Sequence, residues 1–253
     1  NTGGVLEKAV GDYREAEEQA LVPMVFLTPS IVNDGRRLVI SPHGTSYMMV
    51  PPVGVGNPGL VEMDAIDFQG LFARHDADNL RFTSALRMNA TFPYVLPNVY
   101  LPTDPGIEVM DAGFRDNYGI MSAARFIHVF RDWIRENTSG VILLQIRGQD
   151  KFSEMDLQPY GVVESILVPF GVAGRLTDLQ EYEHDSNLGY LFDLLGEDRF
   201  DIVRFIHHPS EEAERTSVTF HLTQREKENI LRAFQLKENQ ASMRQLRGLL
   251  LEK

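Results

Sequence analysis

The chain contains no cysteine, so disulfides, thiolate metal sites and cysteine nucleophiles are excluded in one step. It also lacks any apolar run approaching the roughly 18 residues of a membrane span. The opening stretch NTGGVLEKAVGDYREAEEQA has no basic region followed by an apolar core, and so no signal-peptide pattern. Basic residues are in short supply: 24 Lys and Arg stand against 36 Asp and Glu, for a net charge of −12. That balance opposes the phosphate neutralisation on which nucleic-acid binding rests, so nucleic acid is excluded as an expected partner. An initiator Met is missing too, and the expectation is a soluble piece of a larger protein, with any targeting segment upstream.

What is present is a globular composition. Of 253 residues, 43% are hydrophobic and 24% charged, which is enough chain for a full core. Residues 6–20 have helical potential, stopped by Pro23. MVFLTPSIVNDGRRLVISP reads as strand, turn and strand, with residues 25–27 and 38–40 extended around Asn33-Asp34-Gly35. The Gly- and Pro-rich stretch after His43 reads as a long irregular loop, in which Tyr47, Met48, Met49 and Val50 have something to bury. NLRFTSALRMNATFPYVLP predicts a short helix stopped by Pro93.

GIEVM, residues 106–110, then makes a short strand ending at Asp111. From 118 to 136 the apolar residues Ile120, Ala123, Ala124, Ile127, Phe130 and Ile134 share one helical stripe. VILLQI, residues 141–146, is continuous enough to be a strand buried on both faces of a parallel sheet. Strand, helix and buried strand together predict a βαβ unit. Beyond a loop through Pro159 and Pro169, a helical pattern runs from 176 to 195 and stops at Gly196. FDIVRFIHH and TSVTFHL suggest two more strands. Thr223 and Glu226 form a capping-box pattern before a helix, and a last helix covers 241–251. The class is α/β.

The carboxylate at the strand end is the sharpest chemical feature. MDAGFRDNYG places Asp111 where open α/β sheets bind ligands, beyond the carboxyl end of a strand. Gly113 would let a backbone or a substrate approach it, and the next helix would aim its N-terminus at the same crevice. A plain turn accounts for the same residues, because Asp, Asn and Gly are ordinary turn formers.

SALRMNATFPYVLPNVYL followed some fifteen residues later by DAGFRDNYG resembles the patatin-like phospholipase family. The matching residues are Ala85, Arg87, Ala90, Phe92 and Pro93, then Asp111, Gly113, Asp116, Asn117 and Gly119, and the hairpin at 27–42 is similar to that of bacterial members. The resemblance spans roughly the first 150 residues. It implies an open, largely parallel sheet with flanking helices, of which residues 1–150 are the C-terminal half; the pattern over 151–253 reads as a helical and strand extension packed on it. It further implies a lipid acyl hydrolase with a Ser-Asp dyad, in which Asp111 is the general base, Gly113, Asn117 and Gly119 support the motif, and no cofactor or metal is needed. Ala112 stands where the family commonly has Gly.

The family's nucleophile lies in Gly-x-Ser-x-Gly on a strand-to-helix elbow, and no serine here has that spacing. Ser46 comes nearest, with Gly44 before it but Met48 in the place of the second glycine. The expectation is therefore that the serine and the oxyanion loop lie upstream of Asn1. The partners this implies are a lipid or ester substrate, the upstream half of the same protein, and a membrane surface reached through the full-length protein. The alternative is a non-catalytic binding or structural module related to patatins.

Other candidates are set aside on chemistry. Gly54, Gly56 and Gly59 have G-x-G-x-x-G spacing but are embedded among prolines, where a strand and a helix are required. His75, Asp76 and Asp78, and His207 with His208, show no recognised metal-ligand spacing. His43 and His128 have no identifiable partner in the sequence. The charged stretches at 7–18 and 211–215 read as solvated faces, and Leu246, Leu249 and Leu250 as a packing stripe.

Overall fold

The computed structural model describes residues 4–51, 62–91, 96–148, 164–207 and 222–252. In chain order the regular elements are α1 (Arg14–Glu18), β1 (Ser30–Ile31), β2 (Arg37–Val39), β3 (Ala65–Asp67), α2 (Phe68–Leu71), α3 (Phe82–Asn89), β4 (Val99–Leu101), β5 (Ile107–Met110), α4 (Gly113–Asp116), α5 (Ile120–Val129), α6 (Arg131–Asn137), β6 (Val141–Arg147), α7 (Glu164–Leu195), β7 (Phe200–Ile206), α8 (Gln224–Ala233) and α9 (Lys237–Glu252). They fall into two compact units, one of Asn1–Phe130 with Leu167–Leu188, the other of Arg131–Ile166 with Gly189–Lys253.

The first unit is built on a five-stranded sheet ordered β3-β2-β1-β5-β4. Its second strand shows why helices cover both faces. Leu38 joins a core with Ile31, Val109 and, from α3, Ala85 and Met88. Val39, its neighbour on the opposite face of the pleat, packs instead with Met48, Ala65 and Phe126 of α5. β3 splits the same way, Ile66 to the first cluster and Ala65 to the second. Each fully buried aliphatic side chain in such a core is worth about 1.5–3 kcal/mol. Aromatic contacts reinforce the α5 side: Phe126 lies 5.5 Å from Phe26 and 4.7 Å from Phe130, and Tyr47 meets Phe130 edge-on at 5.3 Å.

The hairpin is present, but its first strand is Ser30–Ile31 rather than residues 25–27, of which only Leu27 bridges across. β1 pairs antiparallel with β2 through Ser30 and Arg37, Leu27 bridges to Ile40, and Gly35 takes φ +76° in the turn, where a Cβ would be strained. The strand ending at Asp111 and the capping box at Thr223 and Glu226 are also as the sequence predicts. The mixed α/β class holds.

The largely parallel sheet does not. Among the described strands of this sheet, β2 and β3 alone run parallel; β1 is antiparallel to both β2 and β5, and β4 to β5. The reason is the short turns at 32–36 and 102–106, which fold each chain segment straight back on its predecessor and cannot make a crossover. The βαβ unit is corrected for the same reason: β5 belongs to the five-stranded sheet, and β6 pairs in parallel with β7 in a separate two-stranded one. The single helix expected over 118–136 is broken at Phe130 into α5 and α6. Pro169, expected in a loop, lies within the second turn of α7, where a 32-residue helix tolerates one missing backbone hydrogen bond.

In the second unit the apolar run of β6 is not buried on both faces. Leu144 and Ile146 are exposed, while Gln145 and Arg147 point inward and are buried, Gln145 accepting from Arg204 Nε at 2.9 Å. Continuous hydrophobicity hid an alternation that runs opposite to polarity. Among the described residues, side chains of α9 line one edge of β7. Asn239 on α9 both donates to Ile206 O and accepts from Ile206 N, and Ser242 and Gln245 donate to the Arg204 and Ile202 carbonyls. Residues three apart on one helical face thus meet alternate residues of the strand, satisfying an edge that would otherwise invite pairing. The expected packing stripe is partial: Leu246 and Leu249 are half-buried and Leu250 is exposed. The strand expected at TSVTFHL, Pro93, Phe92 and the glycines of the G-x-G-x-x-G stretch lie outside the described residues.

Candidate active site

β5 ends at Met110, directly before Asp111. Its backbone is pinned as the strand ends, since Asp111 N donates to Thr91 O at 2.8 Å and Ala112 N to Asn89 O at 3.0 Å, both at the close of α3. The predicted neighbours of Asp111 are brought together by the α4 turn. Gly113 N donates to Asp111 Oδ1 at 2.7 Å. A Cβ at Gly113 would sit 2.7 Å from both Asp111 Oδ1 and Asn117 Oδ1, so only glycine lets the carboxylate and the amide converge there. Gly119 takes φ +68° immediately before α5, a left-handed conformation that favours glycine. Ala112 is buried and helical, so its Cβ is accommodated without strain.

The Asp111 carboxyl is half-buried, and burial pushes its pKa above the usual aspartate value, with the Gly113 N–H opposing this only in part. Among the described residues no cation contributes to its titration, and Oδ1 alone carries a hydrogen bond. Asp111 is therefore an anchored carboxylate with one oxygen held and its proton affinity raised.

Asp116, the second acid of the motif, has a different task. It is buried, and its carboxylate accepts from Met121 N, Ser122 N and Ser122 Oγ at 3.0, 2.9 and 2.7 Å, fixing the start of α5. Around it lies a charged cluster that the sequence did not reveal. Arg37 of β2 is wholly buried, donating to Ser122 Oγ at 2.9 Å and to both oxygens of Asp64 at 3.3 Å. Arg125 of α5 also holds Asp64, by Nη2 to Oδ2 at 2.8 Å and by Nη1 to Oδ1, and donates to Met48 O. Burial and the charge of Arg125 hold the Arg37 guanidinium below its usual pKa. Burial pushes the Asp64 carboxyl upward, but the two arginines outweigh it and hold it below the usual range. His184 of α7 is buried with Nε2 3.8 Å from Asp116 Oδ1, and its ring meets Tyr118 edge-on. The signal available beforehand was an arginine at a core-facing register of the hairpin, which RRLVI contains but does not announce.

The remaining candidates do not assemble into a site. Ser46 is exposed and opens a single 3-10 turn, Ser46–Met48, with no strand leading directly into it. Asp78 is paired with Arg14, Nη2 to Oδ1 at 2.5 Å, and accepts from Gln69; Asp76 accepts from Asn79. His43 stands 3.3 Å from Glu17, whose carboxyl burial pushes upward. Among the described residues no group of three or more His, Asp or Glu is placed to hold a metal ion, and no helix is long and apolar enough to cross a membrane. Comparison with protein-family models, with curated proteins and with solved structures gives no match.

Proposed function

We propose that Asp111 is the general base of a patatin-like serine acyl hydrolase, and that this chain supplies the base while the nucleophilic serine and the oxyanion loop lie upstream of Asn1 in the parent protein. The substrate class is a carboxylic ester of a lipid or glycerophospholipid. One observation carries the reading: a half-buried carboxylate at a strand end, one oxygen anchored by the Gly113 amide, with burial raising its proton affinity. A carboxylate at its ordinary pKa of about 4 is a poor partner for a hydroxyl proton, and burial brings it closer to the working pH.

In the proposed step the serine hydroxyl attacks the acyl carbon and its proton passes to Asp111. The proton then goes to the departing alkoxide as the acyl-enzyme forms. In the second half Asp111 takes a proton from water, whose hydroxide attacks the acyl carbon, and returns it to the serine oxygen. The test is ester turnover by the full-length protein with Asp111→Asn. The expected loss is at least about 100-fold in kcat, the range of general-base catalysis. Unchanged turnover would leave Asp111 a turn residue and the chain a non-catalytic module.

A further inference from the structure

Three hydrogen bonds tie the turn after Asp111 to a residue 69 positions further on, Gln180 of α7. Gln180 Nε2 donates to Phe114 O at 2.8 Å and to Gly113 O at 3.2 Å, and its Oε1 accepts from Asn117 N at 3.0 Å. Both carbonyls need a donor and the amide N–H needs an acceptor. A primary amide brings two N–H donors and an acceptor oxygen together, where a neutral imidazole or a hydroxyl brings only one donor, and only one of its two flips satisfies all three groups. Gln180 is buried, so water does not replace these bonds cheaply. The α4 turn is only four residues long, too short to hold itself. It is also the turn whose first N–H anchors Asp111 Oδ1.

We infer that Gln180 is a positioning residue for Asp111: by clamping Gly113, Phe114 and Asn117 from α7, it fixes the Gly113 amide against the carboxylate and so aims the oxygen left to take a proton. This rests on the reading of Asp111 as the base. It also gives a reason why the long helix, which the sequence resemblance does not cover, belongs to the site: the catalytic loop borrows its rigidity from a later part of the chain.

The experiment compares Gln180→Leu with the unaltered protein by two readouts. The first is amide hydrogen exchange in this chain. Exchange at Gly113 and Asn117 should quicken at least about tenfold while the amides of β5 stay protected, whereas general loosening would quicken both. The second is ester hydrolysis by the full-length protein. There kcat should fall about 10- to 100-fold with KM within about twofold, as expected when a reacting group is misplaced without loss of binding. If Gln180→Leu does not fold, Gln180→Met keeps the length and removes the same bonds.

Unchanged exchange at Gly113 would overturn the clamp. So would uniform acceleration across the first unit, or a kcat untouched by Gln180→Leu while Asp111→Asn abolishes turnover. Turnover that survives Asp111→Asn would instead remove the base reading and the catalytic meaning of the clamp, and the exchange result would identify that as the separate failure.

Discussion

Asp64→Asn should cost the first unit a large part of its stability. Asp64 is the shared partner of two guanidinium groups, one wholly buried at Arg37 and one at 5% exposure at Arg125. The substitution keeps shape but removes the charge that both arginines were buried against. What remains nearby is Asp116, already committed to Met121 and Ser122. Removing one partner of a buried ion pair typically costs about 3–5 kcal/mol, set against a total of roughly 5–15 kcal/mol for a domain. With a urea slope of about 2 kcal/mol/M, the midpoint should fall by about 2 M.

Urea unfolding by circular dichroism, with hydrogen exchange at β2 to locate the change, measures this. A midpoint shift under about 0.5 M would refute the account of the cluster. The sign with pH follows from the direction of the shift. The Asp64 carboxyl is held below its unfolded value, so its stabilisation is present above an ordinary aspartate pKa of about 4 and is lost as pH falls through the folded value.

Asp111→Asn should do the opposite. The Asp111 pKa is raised in the fold, so its favourable contribution is complete below the unfolded value and lost as pH rises through the folded one. The amide should therefore stabilise the chain at pH 7, and the difference should vanish in thermal unfolding below the ordinary aspartate pKa of about 4. Lower stability of the variant at pH 7 would mark Asp111 as structural. Gly113→Ala, whose Cβ would meet two side-chain oxygens at 2.7 Å, should cost about 1–3 kcal/mol and weaken the Gly113–Asp111 hydrogen bond, seen as faster exchange at that amide. Thr223→Ala should cost α8 about 1 kcal/mol by removing the Thr223–Glu226 capping box, with increased exchange confined to its first turn.

Local chemistry was legible where it decides conformation by itself. Asn33-Asp34-Gly35 made the hairpin turn, Thr223 capped its helix, and the apolar run of GIEVM ended in a strand at Asp111. What was not legible depends on partners far along the chain. VILLQI reads as a doubly buried strand because periodicity registers hydrophobicity and not neighbours; its actual neighbour is β7, and Leu144 and Ile146 face outward. The direction of the sheet is not legible locally, because a helix between two strands implies a crossover only if both strands join one sheet, and β5 and β6 do not.

At the site, Asp111, Gly113, Asn117 and Gly119 could be read in advance because they are consecutive in one turn. Arg37, Asp64, Arg125 and Gln180 could not, since each is an ordinary polar residue until the fold places it within hydrogen-bond reach of the others or of that turn. The family resemblance pointed to the acid, and the geometry adds how that acid is held.

The most direct test of the central claim is the rate at which a fluorophosphonate labels serine in the full-length protein, with Asp111 and with Asn in its place, followed by intact mass across pH. If Asp111 is the base, a single adduct forms, its rate falls as the pH drops through the raised pKa of Asp111, and Asp111→Asn slows it at least about 100-fold at every pH above that value. Labelling of the Asn variant within about threefold of the original, or no labelled serine in either, would contradict it.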